Sequence, residues 1–201
     1  MSVEEVNTEQ KILEAAESVF MEEGFAGARM QQIADRASIN KAMLHYYFRS
    51  KDKLFEVIFA HKMKQFVPQM MYVLHNDSIS FIDKVDQFVL SYLSMLRKNP
   101  FLPLFIITAT NRNPELAQQA TKISFAKELV QEMEKEIAKG TIRNINPHQF
   151  MLALVGMCIF PFVARPMFKS LLELDDAAYQ QIIIERHLHV MQYTRSILAK
   201  D

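Results

Sequence analysis

Lys41, His45, Tyr46 and Tyr47 fall within seven residues, with Arg29 and Gln31 shortly before them and Arg49 and Lys51 just after. Cations of this kind neutralise phosphates, and imidazole, phenol and amide groups offer hydrogen bonds to phosphates or base edges, so the chemistry is recognition rather than bond making. The stretch 33–55, IADRASINKAMLHYYFRSKDKLF, sets these groups on a short apolar-faced helix, a three-residue break, a second short helix and a lysine-studded third one. That order suits a helix-turn-helix reader of DNA.

The elements that must position such groups are helices nearly throughout. There are four glycines in 201 residues, strand-like alternation is absent, and Pro, Gly and Asn clusters separate segments of helical period. The chain therefore reads as all-α, with about nine helices. Helix 1 is expected over about Thr8 to Glu23, capped by Asn7 or Thr8, with an apolar stripe of Ile12, Ala15, Ala16, Val19 and Phe20 and with Gly24 ending it. Helix 2 covers Met30 to Ala37 and helix 3 Lys41 to Tyr47. Helix 4 follows the N-cap Ser50, turns Leu54, Phe55, Ile58 and Phe59 inward and stops before Pro68. Later helices are expected over about Ser80 to Lys98, Phe101 to Thr110, Glu115 to Lys139, Pro147 to Leu172 and Asp175 to Ala199, with a bend at Pro161 or Pro166. Residues 8–68 then make a three-helix helix-turn-helix domain with its supporting fourth helix, the motif itself over about 30–48, and residues 69–201 a larger helical domain.

Within the motif, Ile33, Ala34 and Ala37 share one face of helix 2, Ile39 sits in the turn, and Leu44 with Phe48 make the inner face of helix 3. Lys41, Ala42, His45 and Tyr46 are left facing outward, and Asn40 can cap the helix end that points toward phosphates or base edges. Charge is distributed to match. Residues 1–28 carry one base (Lys11) against seven acids, whereas residues 29–64 carry eight bases against three acids, within a chain whose net charge is zero. A local basic surface can release counterions from DNA even on a neutral protein.

Composition narrows the other classes. Half the chain is apolar, enough for a core without disulfide or metal. The single cysteine, Cys158, cannot form an internal bridge, and with a start that lacks an apolar signal segment it argues for a cytoplasmic location. The longest charge-free stretch, Asn144 to Ala164, holds about 15 continuously apolar residues against the roughly 20 needed to span a bilayer. An enzyme is disfavoured. No glutamate is followed three residues later by histidine, as a helical di-iron site requires, and zinc spacings, phosphate loops and nucleophile elbows are lacking. No metal or cofactor is expected.

Taken together, Gly24-Phe25, Ile33-Ala34, Ser38-Ile39-Asn40-Lys41, Leu44-His45-Tyr46-Tyr47-Phe48 and Ser50-Lys51-Asp52-Lys53-Leu54 resemble, in order and spacing, the N-terminal DNA-binding domain of the TetR family of bacterial transcriptional regulators. The resemblance covers residues 8 to about 60. It implies that Lys41, Ala42 and Met43 touch bases, that His45 and Tyr47 contact phosphates, and that Tyr46 reaches base or backbone. It also implies a base-reading position for Gln31 and phosphate contacts for Lys51 and Arg29. Three residues depart from the family pattern: Ser38 stands for a turn glycine, Met43 for a frequent threonine, and His45 for a tyrosine.

One short helix reads few base pairs, so a homodimer on a palindromic double-stranded operator is expected. Met151, Leu154, Val155, Ile159, Phe162, Ile183, Leu188 and Met191, on the two long C-terminal helices, are the candidates for its interface. Phe88, Tyr92, Phe105, Thr108, Phe125, Met157 and Phe160, together with Phe81, would either line a pocket for a small, mainly apolar effector or simply fill the core; the resemblance favours the pocket, and with it a repressor released by its ligand. The alternative is a helical small-molecule carrier or interaction protein that does not bind DNA.

Overall fold

The computed structural model describes residues 3–112 and 125–200. Among these, ten helices and no strand occur: α1 Val3–Gly27, α2 Met30–Arg36, α3 Lys41–Tyr47, α4 Lys51–Leu74, α5 Phe81–Lys98, α6 Leu102–Arg112, α7 Phe125–Lys139, α8 Pro147–Val163, α9 Arg165–Leu171 and α10 Asp176–Leu198. The chain is all-α, with two compact units, Met1–Gln65 and Phe66–Asp201.

In the first unit the apolar stripe of α1 is buried at every expected position, Ile12, Ala15, Ala16, Val19 and Phe20. Helical geometry breaks at Gly24, whose φ of 66° lies in the left-handed region that favours glycine. Phe20, Phe25 and Phe55 then close a ring of aromatic contacts with centroids 5.6–5.7 Å apart. Ion pairs tie the surface of this core: Arg36 forks onto Glu22 and also donates to the Ser18 hydroxyl at 2.6 Å, and Lys62 meets Glu17 at 2.7 Å. The Arg36 guanidinium holds the Glu22 carboxyl below its ordinary range.

The second unit wraps around α5. Its apolar face (Val85, Phe88, Val89, Leu93, Leu96) is buried and packs against α7, α8 and α10. Side-chain caps fix the first turns of α5, α8 and α10: Ser80 accepts from the Asp83 amide, Asn146 from those of His148 and Gln149, and Asp175 from that of Ala178. Buried Lys84 crosses from α5 to Glu132 of α7 at 2.8 Å, which pulls the Glu132 carboxyl below its usual range.

Several element bounds differ from those read in the sequence. Backbone helix starts at Val3, ahead of the expected caps Asn7 and Thr8. The fourth helix does not stop at Pro68 but runs on to Leu74. Pro68 is exposed, so water can take the carbonyl bond that its missing amide leaves open, and the buried Met70 and Leu74 reward continuation. The long C-terminal apolar helix is broken into α8 and α9, bent by 73° at Ala164, two residues before Pro166. The Pro166 ring disfavours helical geometry in the turn ahead of it, which sets the break there and not at Pro161. The expected helix from Glu115 is seen from Phe125; its earlier part lies outside the described residues. No single helix among those described is long and apolar enough to cross a membrane.

Ser38, in the turn between α2 and α3, has a φ of 56°. A side chain there costs about 1 kcal/mol. Ser38→Gly is therefore expected to stabilise the first unit by about 1 kcal/mol in urea or thermal unfolding, and an unchanged or lower midpoint would contradict the strain.

Candidate nucleic-acid interface

The seven residues of α3 contain one buried side chain, Leu44, and Phe48 closes the helix behind it at 5% exposure. Helix α2 supplies the matching floor through buried Ile33 and Ala34, and small Ala34 and Ala37 allow close approach. The turn is held by backbone bonds from Ser38 to Asp35 and from Ile39 to Ala34, 3.1 and 3.0 Å. The Asn40 side chain accepts from the Met43 amide at 2.7 Å, leaving the first turn of α3 capped and its remaining amides pointing outward.

Lys41, Ala42, Met43, His45 and Tyr46 are all exposed, Tyr46 at 79%, while Tyr47 is half-buried and meets Tyr46 edge to face at 5.5 Å. The His45 Nδ1 lies 3.3 Å from the Arg49 carbonyl. A carbonyl only accepts, so Nδ1 donates in that contact and Nε2 is left for an external partner. Arg29 and Gln31 are exposed at the start of α2; the Arg29 amide donates to Gln32 Oε1 at 2.8 Å, and the Gln31 amide donates to Asp35 at 2.7 Å. Gln31 must give up that bond to read a base.

Lys51 is placed differently from the free phosphate contact that the sequence suggested. Its Nζ donates to the carbonyls of Phe25 at 2.6 Å, Ala28 at 2.8 Å and Ala26 at 3.4 Å, and stands 4.5 Å from the centre of the Phe25 ring. An ammonium has three protons, so all are committed. Burial lowers the pKa of this amine from its ordinary value. The group ties off the carbonyl end of α1 and anchors it to the start of α4. Nothing local in the sequence signals this, because its partners lie 23 to 26 residues away.

In the second unit three of the candidate pocket residues, Phe88, Tyr92 and Phe125, are in contact. Phe88 stacks on Tyr92 at 5.4 Å and on Phe125 at 5.1 Å, and Phe66 adds an edge contact to Phe88 at 6.2 Å. Phe81 and Phe105 are buried and Met157 half-buried; the Thr108 hydroxyl donates to the Leu104 carbonyl at 2.7 Å. Burial raises the Tyr92 phenol, and pushes the Cys158 thiol up to about 12, so that sulfur is inert at neutral pH. Phe160 does not join this interior: it is 51% exposed and packs edge to face on Phe168 of α9.

The candidate interface residues also divide. Leu154, Ile183 and Met191 are buried within the chain's own core and cannot offer their side chains to a second copy. Met151, Val155, Ile159 and Phe162 are half-buried and Leu188 is exposed. The apolar groups turned outward that the sequence reading missed are Leu152, Phe160 and Ile184. Among the described residues no group of three His, Cys, Asp or Glu side chains could hold a metal ion.

Comparison with known proteins converges on this N-terminal unit. The family profile described as bacterial regulatory proteins, tetR family, matches residues 12–58. The chain is 48% identical over 54 residues to the HTH-type transcriptional repressor NicS of Pseudomonas putida, a match spanning 27% of this chain and 26% of that relative. It is 26% identical over 172 residues to the probable HTH-type transcriptional regulator YttP of Bacillus subtilis, covering 82% and 81% of the two chains. In fold it is similar to a TetR transcription regulator from Haloarcula marismortui, with a TM-score of 0.70 at 16% identity over 96% of this chain and all of that one.

If Lys51 braces the domain, Lys51→Met should cost about 1–3 kcal/mol in urea unfolding, the range for losing hydrogen bonds to a charged group and stranding their acceptors. A midpoint equal to that of the parent protein would show the ammonium to be dispensable for folding.

Proposed function

We propose that the chain is a DNA-binding transcriptional regulator of the tetR family, on the profile match over residues 12–58 and the likeness to NicS and YttP, and that it is a homodimeric repressor released from a palindromic operator by a small, mainly apolar effector. The observation that carries the reading of DNA is α3 itself, with Leu44 alone buried and its whole N-terminal half exposed. A helix this thin fits the major groove end first. Lys41, Ala42 and Met43 then reach base edges. Met43 can offer only apolar contact, which suits a thymine methyl. His45 Nε2 and the Tyr47 phenol take phosphates, Tyr46 takes a base or the backbone, Arg29 a phosphate, and Gln31 a base once it leaves Asp35.

Two such helices about 34 Å apart, or a multiple of it, would read successive major grooves. The surface that supports a dimer lies on α8 and α10, where Leu152 and Phe160, and Ile184 and Leu188, repeat at helical spacing and are exposed. Gly156 falls between the first pair, with open space where a Cβ would stand, so a partner helix can approach closely. Burial of these groups by a second copy would build a four-helix interface. The effector is proposed to enter the aromatic interior around Phe88, Tyr92, Phe105, Phe125 and Met157. Since Phe88 stacks on Tyr92 and on Phe125, it must part them, and Tyr92 and Thr108 supply the polar contacts. A coupling of about 1–3 kcal/mol between ligand and operator would lower DNA affinity roughly 5- to 150-fold.

Two measurements test this reading. Titrated against fragments of its own upstream region at two salt concentrations, the protein should show binding that survives salt levels that remove binding to sheared genomic DNA. Lys41→Ala should weaken the specific complex about tenfold or more, with helicity unchanged, and equal affinity would remove α3 as the reader. Leu188→Glu should leave a folded monomer by light scattering, and a dimer persisting at micromolar concentration would exclude this face of α10.

A further inference from the structure

Two guanidinium groups that take no part in DNA reading border one cavity beside the elbow between α8 and α9. A cavity of about 70 Å³ opens there, lined by Arg97 at the end of α5, Arg165 at the start of α9 and Gln180 on α10, with Pro100, Phe162 and Ile183 as apolar walls. It is several times the space that one water needs, and far below the roughly 300–1,000 Å³ of a site for a drug-sized ligand. The frame around it is tied down: the Tyr179 hydroxyl donates to the Pro161 carbonyl at 2.7 Å, and the Arg165 guanidinium stands 5.9 Å from the Tyr179 ring.

The local charge is unbalanced. Arg165 and Lys169 both donate to the same oxygen of Asp176 at 2.7 Å, so one carboxylate serves two cations. Arg97 is exposed and has no hydrogen-bond or ion-pair partner among the described residues. The one carboxylate paired at this elbow is thus shared by Arg165 and Lys169, Arg97 is left uncompensated, and both guanidinium groups border a partly apolar recess. A guanidinium fork matches a carboxylate through two parallel hydrogen bonds, and the Gln180 amide adds a further donor. Pro100, Phe162 and Ile183 offer nothing to the third and fourth oxygens of a phosphate but can cover an alkyl group.

We propose that this cleft binds the carboxylate of a short-chain organic acid, with Arg97 and Arg165 holding the head and Pro100, Phe162 and Ile183 covering the tail. The site is separate from the aromatic interior, and its occupancy does not depend on DNA. The test is calorimetric titration of the full chain with sodium propionate, with sodium phosphate and sodium chloride as controls at matched ionic strength and pH, alongside thermal unfolding. Propionate should bind saturably and raise the melting temperature, since a ligand of the folded state alone stabilises it. Arg97→Gln should weaken propionate binding roughly tenfold or more, as loss of a charge-assisted bond does, and leave the melting temperature in chloride unchanged. No saturable heat with propionate, a response to phosphate alone, or undiminished binding by Arg97→Gln would each overturn the proposal. DNA affinity does not enter these readouts, so their failure would leave the operator-binding reading standing, and the converse holds.

Discussion

The burial of Leu44 is the constraint on which the reading head rests. A seven-residue helix is too short to persist on its own, since nucleation costs more than a turn or two of hydrogen bonds returns. α3 is held instead by one side chain sunk between its neighbours, by Phe48 behind it and by the Asn40 cap in front. That economy leaves its outer surface free. Had Met43 or Tyr46 been needed for packing, the helix would be anchored but mute.

The same division runs through the basic residues of the first unit. Sequence count gives eight bases between residues 29 and 64, yet the structure commits half of them elsewhere. Arg36, Lys53 and Lys62 pair with Glu22, Glu56 and Glu17, and Lys51 closes the end of α1. Lys41, the first residue of α3, and Arg49, just past its end, are exposed and have no ion-pair partner among the described residues. With Arg29 before α2 and Lys64 far along α4 as the other two uncommitted bases, phosphate attraction near α3 rests on Lys41, Arg49 and Arg29 and is weaker than the raw count suggests.

Much of this was legible because it is local. The cap at Asn40, the inward Leu44 and the α1 stripe each follow from neighbours within four residues, and helical period reports them directly, whereas the strained turn at Ser38 was signalled only by the glycine that the resembling family carries there. Contacts across longer separations were not legible. Lys51 reads as a surface cation until Phe25 and Ala28 fold over it. On α8 nearly every residue is apolar, so periodicity cannot say which face meets the chain's own core, and Leu154 was assigned outward and Phe160 inward when the reverse holds. Pro68 misled for the opposite reason: a helix breaker by type, it is tolerated where its freed carbonyl faces water.

The most direct test of the central claim is amide chemical-shift mapping of the full chain as it binds a DNA fragment enriched from a random pool by the protein itself. Groove entry by α3 predicts that the largest changes fall on residues 40–47 and at the N-terminus of α2, with the inner stripe of α1 little moved. Changes concentrated elsewhere, with Lys41 to Tyr46 unperturbed at saturating DNA, would contradict it.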